Sequence, residues 1–192
     1  MLETFIFFLE LGFSHVIDFN GLDHFYYFIV LAVPFNLDKW IRLLKWVTFF
    51  TLGHCLTLFI NYYFKISVDS YWVEILIPIT IVYSCILIIL KKEADIDQNI
   101  FKYFTPLTFI FGLIHGMGFG RYFNLVVQND SSLSSLLGFA FGIEFAQLII
   151  VSIVLILNGF IIKNFKNIFK IWVVGFSFLI LILSLKMVFE RV

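Results

Sequence analysis

The chain has 192 residues, of which 61% belong to the apolar set from Ala to Cys and 14% are charged. With a mean hydropathy of +1.02 and far less than the roughly 25% charge of a soluble domain, it cannot clothe a water-exposed surface, and the bilayer is its main solvent. Thirteen basic residues cancel thirteen acidic ones, which leaves nothing to neutralise a run of phosphates and excludes a nucleic-acid partner. Cys55 and Cys85 lie inside apolar runs, so no disulfide framework is expected and both read as packing residues.

The first apolar run, Leu2 to Phe13, carries Glu3 and Glu10 and has neither a basic start nor a small-residue cleavage site; it reads as a retained segment, not a signal peptide. At about a dozen residues it is too short to cross alone and is expected to form an interfacial or re-entrant half helix within residues 1–20. Six spans are predicted after it: Gly21–Phe35, Trp40–Phe64, Trp72–Leu90, Tyr103–Val127, Leu133–Phe160 and Ile168–Phe189. The expected fold is therefore all-α, a polytopic six-helix membrane bundle over residues 21–192 preceded by the half helix, the whole 1–192 forming one transmembrane domain.

Short cytoplasmic loops collect Lys and Arg. Lys39, Arg42, Lys45, Lys91, Lys92, Lys102, Lys163, Lys166 and Lys170 fall on one side of the predicted spans, against Lys65, Arg121, Lys186 and Arg191 on the other. Both termini are thus expected on the periplasmic or extracellular face of an inner (plasma) membrane.

An ionisable residue inside a span costs about 2.5–3.5 kcal/mol on insertion scales, so it marks a cavity or a partner. The chain has four histidines, His15, His24, His54 and His115. His24 follows Asp23, His54 follows Gly53, and His115 lies between Gly112 and Gly118. Glu74 and Glu144 join them within predicted spans, with Gln147 one helical turn beyond Glu144. Counting residues from each span end places Asp23, His24, His54, Glu74, His115 and Glu144 between the outer surface and the midplane, although that topology was set by Lys and Arg alone. Imidazole with carboxylate suits Ni²⁺, Zn²⁺, Co²⁺ or Fe²⁺, while the lack of clustered Cys or Met argues against a copper(I) site. Thr51, Thr57 and Gln147 are placed to orient such ligands. Plainer readings stand beside these: His15 in water outside the first full span, Glu74 on a helix dipole, Gly138 and Gly142 as ordinary helix packing, and the 27 phenylalanines as lipid-facing bulk and core.

Five segments, GFSHVIDFNGLDH, FTLGHCLTL, WVEILIP, FGLIHGMGF and GIEFAQ, occur in that order along nearly the whole chain, and in them the chain resembles the HupE/UreJ family of small integral membrane proteins. The spacing from His15 to the Asp23–His24 pair is two residues longer than in the compact form of the motif, and Cys55 stands where serine is usual. The resemblance implies six spans, permease activity toward nickel or a related divalent metal, and metal contacts at His15, Asp23, His24, His54, His115 and Glu144.

The first reading is thus a permease for a divalent transition metal, nickel ahead of zinc or cobalt, working through an intramembrane His/Asp/Glu site open to the outer side. The alternative is an intramembrane zinc-type hydrolase using the same cluster, with Glu144 or Glu74 as general base. The partners expected are the lipid bilayer and the metal ion, with a homo-oligomer or a metalloenzyme maturation system left open.

Overall fold

The computed structural model describes residues 2–18, 21–66, 68–90, 99–127 and 132–192; Lys91 and Lys92 of the predicted third loop lie outside them. Every regular element among the described residues is helical: α1 (Leu2–Ile17), α2 (Asp23–Ala32), α3 (Trp40–Phe64), α4 (Ser70–Leu90), α5 (Asn99–Val126), α6 (Ser132–Phe165) and α7 (Phe169–Arg191), with short 3₁₀ turns leading into α3 and α7. Among these residues, three stretches are long and apolar enough to cross a membrane, Leu37–Phe64, Ser70–Leu90 and Leu133–Arg191, the last containing both α6 and α7.

The first predicted span differs from what forms. Its helix is only the ten residues of α2, about 15 Å at 1.5 Å per residue, half the roughly 30 Å of hydrocarbon. The preceding segment compensates by forming a longer helix than the sequence reading gave it. α1 runs 16 residues to Ile17, about 24 Å, and so carries His15 within regular structure. The two lie one after the other along the 34-residue α6. Phe5 and Phe13 of α1 pack on Phe141 and Phe145 of α6, while the far end of α2 is held lower down by Asn158. That amide donates to the carbonyls of Ala32 (3.2 Å), Val33 (3.1 Å) and Phe35 (2.8 Å) and accepts from the Trp172 indole (3.0 Å). A helix end in a bilayer leaves carbonyls that water cannot reach; Asn158 supplies the missing donor.

Two helix pairs touch backbone to backbone. α3 and α5 run parallel, matched in order by Trp46 Nε1 to Thr105 Oγ1 at 3.1 Å, Thr57 Oγ1 to the Leu113 carbonyl at 3.0 Å, and the Asn61–Asn124 side chains. A Cβ on Gly53, Gly112 or Gly116 would run into the backbone of the facing helix. α1 and α6 repeat the arrangement, with Gly12, Gly138 and Gly142 against facing backbone, so the Gly138/Gly142 spacing is helix packing of the small-residue kind. Between the pairs lies a core rich in aromatic rings, including the fully buried Tyr27, Phe28, Phe50, Phe123 and Phe139.

Gly112→Leu is expected to destabilise the protein by 1–3 kcal/mol or more, about the cost of overpacking, whereas Gly175→Ala, with open space around its α-carbon, is expected to be neutral or slightly stabilising. Thermal unfolding of the detergent-solubilised variants measures the difference; equal midpoints would refute the close-contact assignment.

Candidate metal centre

The interruption between α1 and α2 brings two histidines together. The Gly21 N–H closes a turn on the Asp18 carbonyl at 3.1 Å, so the chain leaves α1 just after His15 and starts α2 at Asp23 and His24. The two imidazoles lie 4.8 Å apart, centroid to centroid. From α3, His54 lies 5.7 Å from His15 and 5.5 Å from His24; from α5, His115 lies 5.1 Å from His24. His24, His54 and His115 are buried, at 2%, 0% and 2% exposure, and His15 is half-buried. Ligand atoms of His15, His24 and His54 all come within 4.8 Å of one another.

Hydrogen bonds settle which ring nitrogens face inward. His115 Nδ1 lies 2.8 Å from the Phe111 carbonyl, an acceptor only, so Nδ1 carries the proton and the Nε2 lone pair is free. His24 Nδ1 faces Asp23 Oδ1 at 3.3 Å, which turns its Nε2 the same way. Nε2 of His15, His24 and His115, and both ring nitrogens of His54, are buried without a hydrogen-bond partner. Leaving such an atom dry costs about 1–3 kcal/mol, and buried polar atoms are rarely left so. Several in one cluster fit a divalent cation, which binds neutral imidazole.

Asp23 stands behind this group. Its Oδ1 accepts from the His24 backbone N–H at 2.9 Å as well as facing the ring, the carboxylate–histidine arrangement that orients a ligating imidazole. Its Oδ2 lies 3.7 Å from Arg191 Nη2.

Five other predicted residues lie elsewhere. The Glu74 side chain is exposed; what this residue contributes is its backbone carbonyl, which accepts from Arg191 Nη1 at 2.8 Å. Thr57 donates across the α3–α5 contact and serves packing. Glu144, half-buried on α6, is held by α3: Thr48 Oγ1 donates to Oε1 at 2.6 Å, and the Thr51 hydroxyl contacts Oε2. Thr51 Oγ1 also lies 2.9 Å from Gln147 Oε1 and 3.2 Å from the Val47 carbonyl. One hydroxyl proton cannot serve three acceptors, so Glu144, Thr48, Thr51 and Gln147 form an oxygen-rich nest of their own, one helical turn along α3 from His54.

Aromatic rings, read from the sequence as bulk, complete the walls. Phe50 packs 5.0 Å from the His115 ring and 5.7 Å from His24, and with Tyr27 and Phe28 closes the cluster toward the C-terminal end of α2. Phe119 lies 4.2 Å from His15 and, with Tyr122, Ser14 and Asp18, borders a cavity of about 590 Å³ that reaches His15. Both rings belong to quoted motifs, Phe50 opening FTLGHCLTL one turn before His54 and Phe119 closing FGLIHGMGF one turn after His115.

The family model described as HupE / UreJ protein matches residues 1–191. The chain belongs to the HupE/UreJ family. No curated protein and no solved structure gives a significant match. Family membership and the apolar helices together make this HupE/UreJ protein a membrane protein of a family linked to metal handling.

Replacing Thr51 with Val leaves the Glu144 carboxylate with a single hydroxyl donor and is expected to cost about 1–3 kcal/mol, more than Thr48→Val at the exposed end of the nest. Chemical denaturation in detergent ranks the two; a Thr51→Val protein as stable as wild type would remove the nest as a structural unit.

Proposed function

We propose that this HupE/UreJ protein is a permease for a divalent transition-metal ion. The observation that carries the reading is the group of imidazoles on α1, α2, α3 and α5, each of which buries at least one ring nitrogen without a hydrogen-bond partner among the described residues. In this reading α1 and α2 together make the first of six crossings, both termini lie outside, and the protein sits in the inner membrane. The cavity beside His15 admits the hydrated ion from the outer side. His15, His24, His54 and His115 replace its water, with Asp23 holding the His24 ring, and the Glu144 nest receives the ion on its way inward. Imidazole donors suit Ni²⁺, Zn²⁺ and Co²⁺ alike; nickel ranks first because of the family's motifs, which also make a metalloenzyme maturation system the natural recipient.

His54→Ala is expected to reduce entry of radioactive nickel, zinc and cobalt into cells to background, since His54 lies within reach of both His15 and His24 and no hydrogen bond among the described residues occupies either of its ring nitrogens. Unchanged uptake of all three would refute the permease. Asp23→Asn keeps the residue's shape while weakening its hold on the imidazole, and is expected to lower metal affinity by 10–100-fold, roughly the effect of losing such a supporting group.

The aromatic floor of Phe50, Tyr27 and Phe28 favours a second reading, in which the ion is retained and the protein is an intramembrane hydrolase. Elemental analysis after purification in chelator separates them: one ion kept per chain supports the hydrolase, and an empty protein that binds metal on addition supports the permease.

A further inference from the structure

We infer that Arg191, a residue outside every motif of the chain, sets how loosely the histidine cluster holds its cation. The inference rests on the metal-binding reading above and deepens it.

The position of Arg191 has a cause in α4. Pro78 lies inside that helix, and a proline has no N–H to give to the carbonyl four residues earlier. That carbonyl belongs to Glu74, and it is the one to which Arg191 Nη1 donates at 2.8 Å. The vacancy in the α4 ladder is thus a socket for a guanidinium arriving from the last turn of α7. So seated, Arg191 turns its second nitrogen toward Asp23, with Nη2 3.7 Å from Oδ2. The other oxygen of the same carboxylate faces His24 Nδ1 at 3.3 Å. Proline, carbonyl, guanidinium, carboxylate and imidazole form one connected line from α4 to the cluster. The pair is largely withdrawn from water, with side-chain exposures of 23% for Arg191 and 14% for Asp23, so screening between its two charges is weaker than at an open surface.

The electrical consequence follows from counting charges. The four imidazoles bind metal as neutral groups, and Asp23 puts a negative charge directly against one of them, the His24 ring. An unpaired carboxylate there would strengthen the His24 ligand and attract a doubly charged ion. A guanidinium on the far oxygen offsets that charge and repels the ion directly. For a storage or catalytic site this arrangement is a handicap. A conducting site needs it, because binding must be favourable enough to admit the ion and weak enough to let it leave.

The test uses the full-length protein in nanodiscs, titrated with Ni²⁺ in competition with a fluorescent chelating indicator, beside initial rates of uptake in cells. Arg191→Gln retains a donor for the Glu74 carbonyl and removes the charge. It is expected to bind Ni²⁺ about tenfold more tightly, a shift of about 1.4 kcal/mol, with half-saturation of uptake at lower nickel and a lower maximal rate. Arg191→Lys keeps the charge and is expected to stay within about twofold of wild type. Arg191→Gln binding equal to or weaker than wild type overturns the inference, as does Arg191→Lys tightening as much as Arg191→Gln. A merely structural Arg191 would weaken binding in both variants. Wild-type protein that binds no Ni²⁺ overturns the metal-binding reading itself, an outcome distinct from any difference between the variants.

Discussion

An imidazole nitrogen buried in a membrane protein without a partner is a debt that water cannot settle, and the architecture of this chain is organised around several of them. Bringing rings from four helices each to within about 5–6 Å of a neighbouring imidazole requires backbones closer than ordinary side chains permit. Glycine at the α3–α5 and α1–α6 contacts removes that obstacle. The break before α2 removes another, because a continuous helix through residues 15–24 would spread His15 and His24 over two and a half turns, whereas the turn sets their rings 4.8 Å apart. Broken helices with polar residues at the break are a recurring way to build ion sites at membrane depth.

Polarity within this apolar bundle is arranged in stations. The cavity beside His15, the imidazole cluster and the oxygen nest around Glu144 differ in donor chemistry, from mixed and hydrated, to nitrogen, to oxygen. A borderline metal prefers the nitrogen station, and the oxygen station beyond it is a poorer host. Between the cluster and the C-terminal end of α2 stand the rings of Phe50, Tyr27 and Phe28, whose one polar atom, the Tyr27 hydroxyl, is engaged with Thr108 at 3.4 Å. The floor is therefore shut in the arrangement described.

Much of this was legible in the sequence. Four histidines among apolar residues, three of them beside glycine or an acid, pointed to the cluster because the bilayer makes such residues costly enough to need a reason. The family was legible from five ordered motifs. What escaped had physical causes. Helix length could not be read from hydropathy where α2 stops at ten residues, since apolar residues continue through the break in regular structure. Glu144 read as a neighbour of the histidines because depth can be counted from span ends, whereas azimuth around the helix cannot; it faces Thr48 and Thr51. Glu74 was noticed for its side chain and matters through its carbonyl, a role set by Pro78 four residues on. Phe50 and Phe119 were lost among 27 phenylalanines.

The glycine contacts carry a mechanical implication. α3 with α5, and α1 with α6, are each too closely seated to slip internally without backbone collision, so each behaves as one rigid body. His54 and His115 ride on the first, His15 on the second, and His24 begins the short helix anchored at its other end by Asn158. A small slide of one body past the other would part His15 from His54 while His54 and His115 kept their relation, so that in the proposed permease holding and letting go of the cargo become two positions of a single joint.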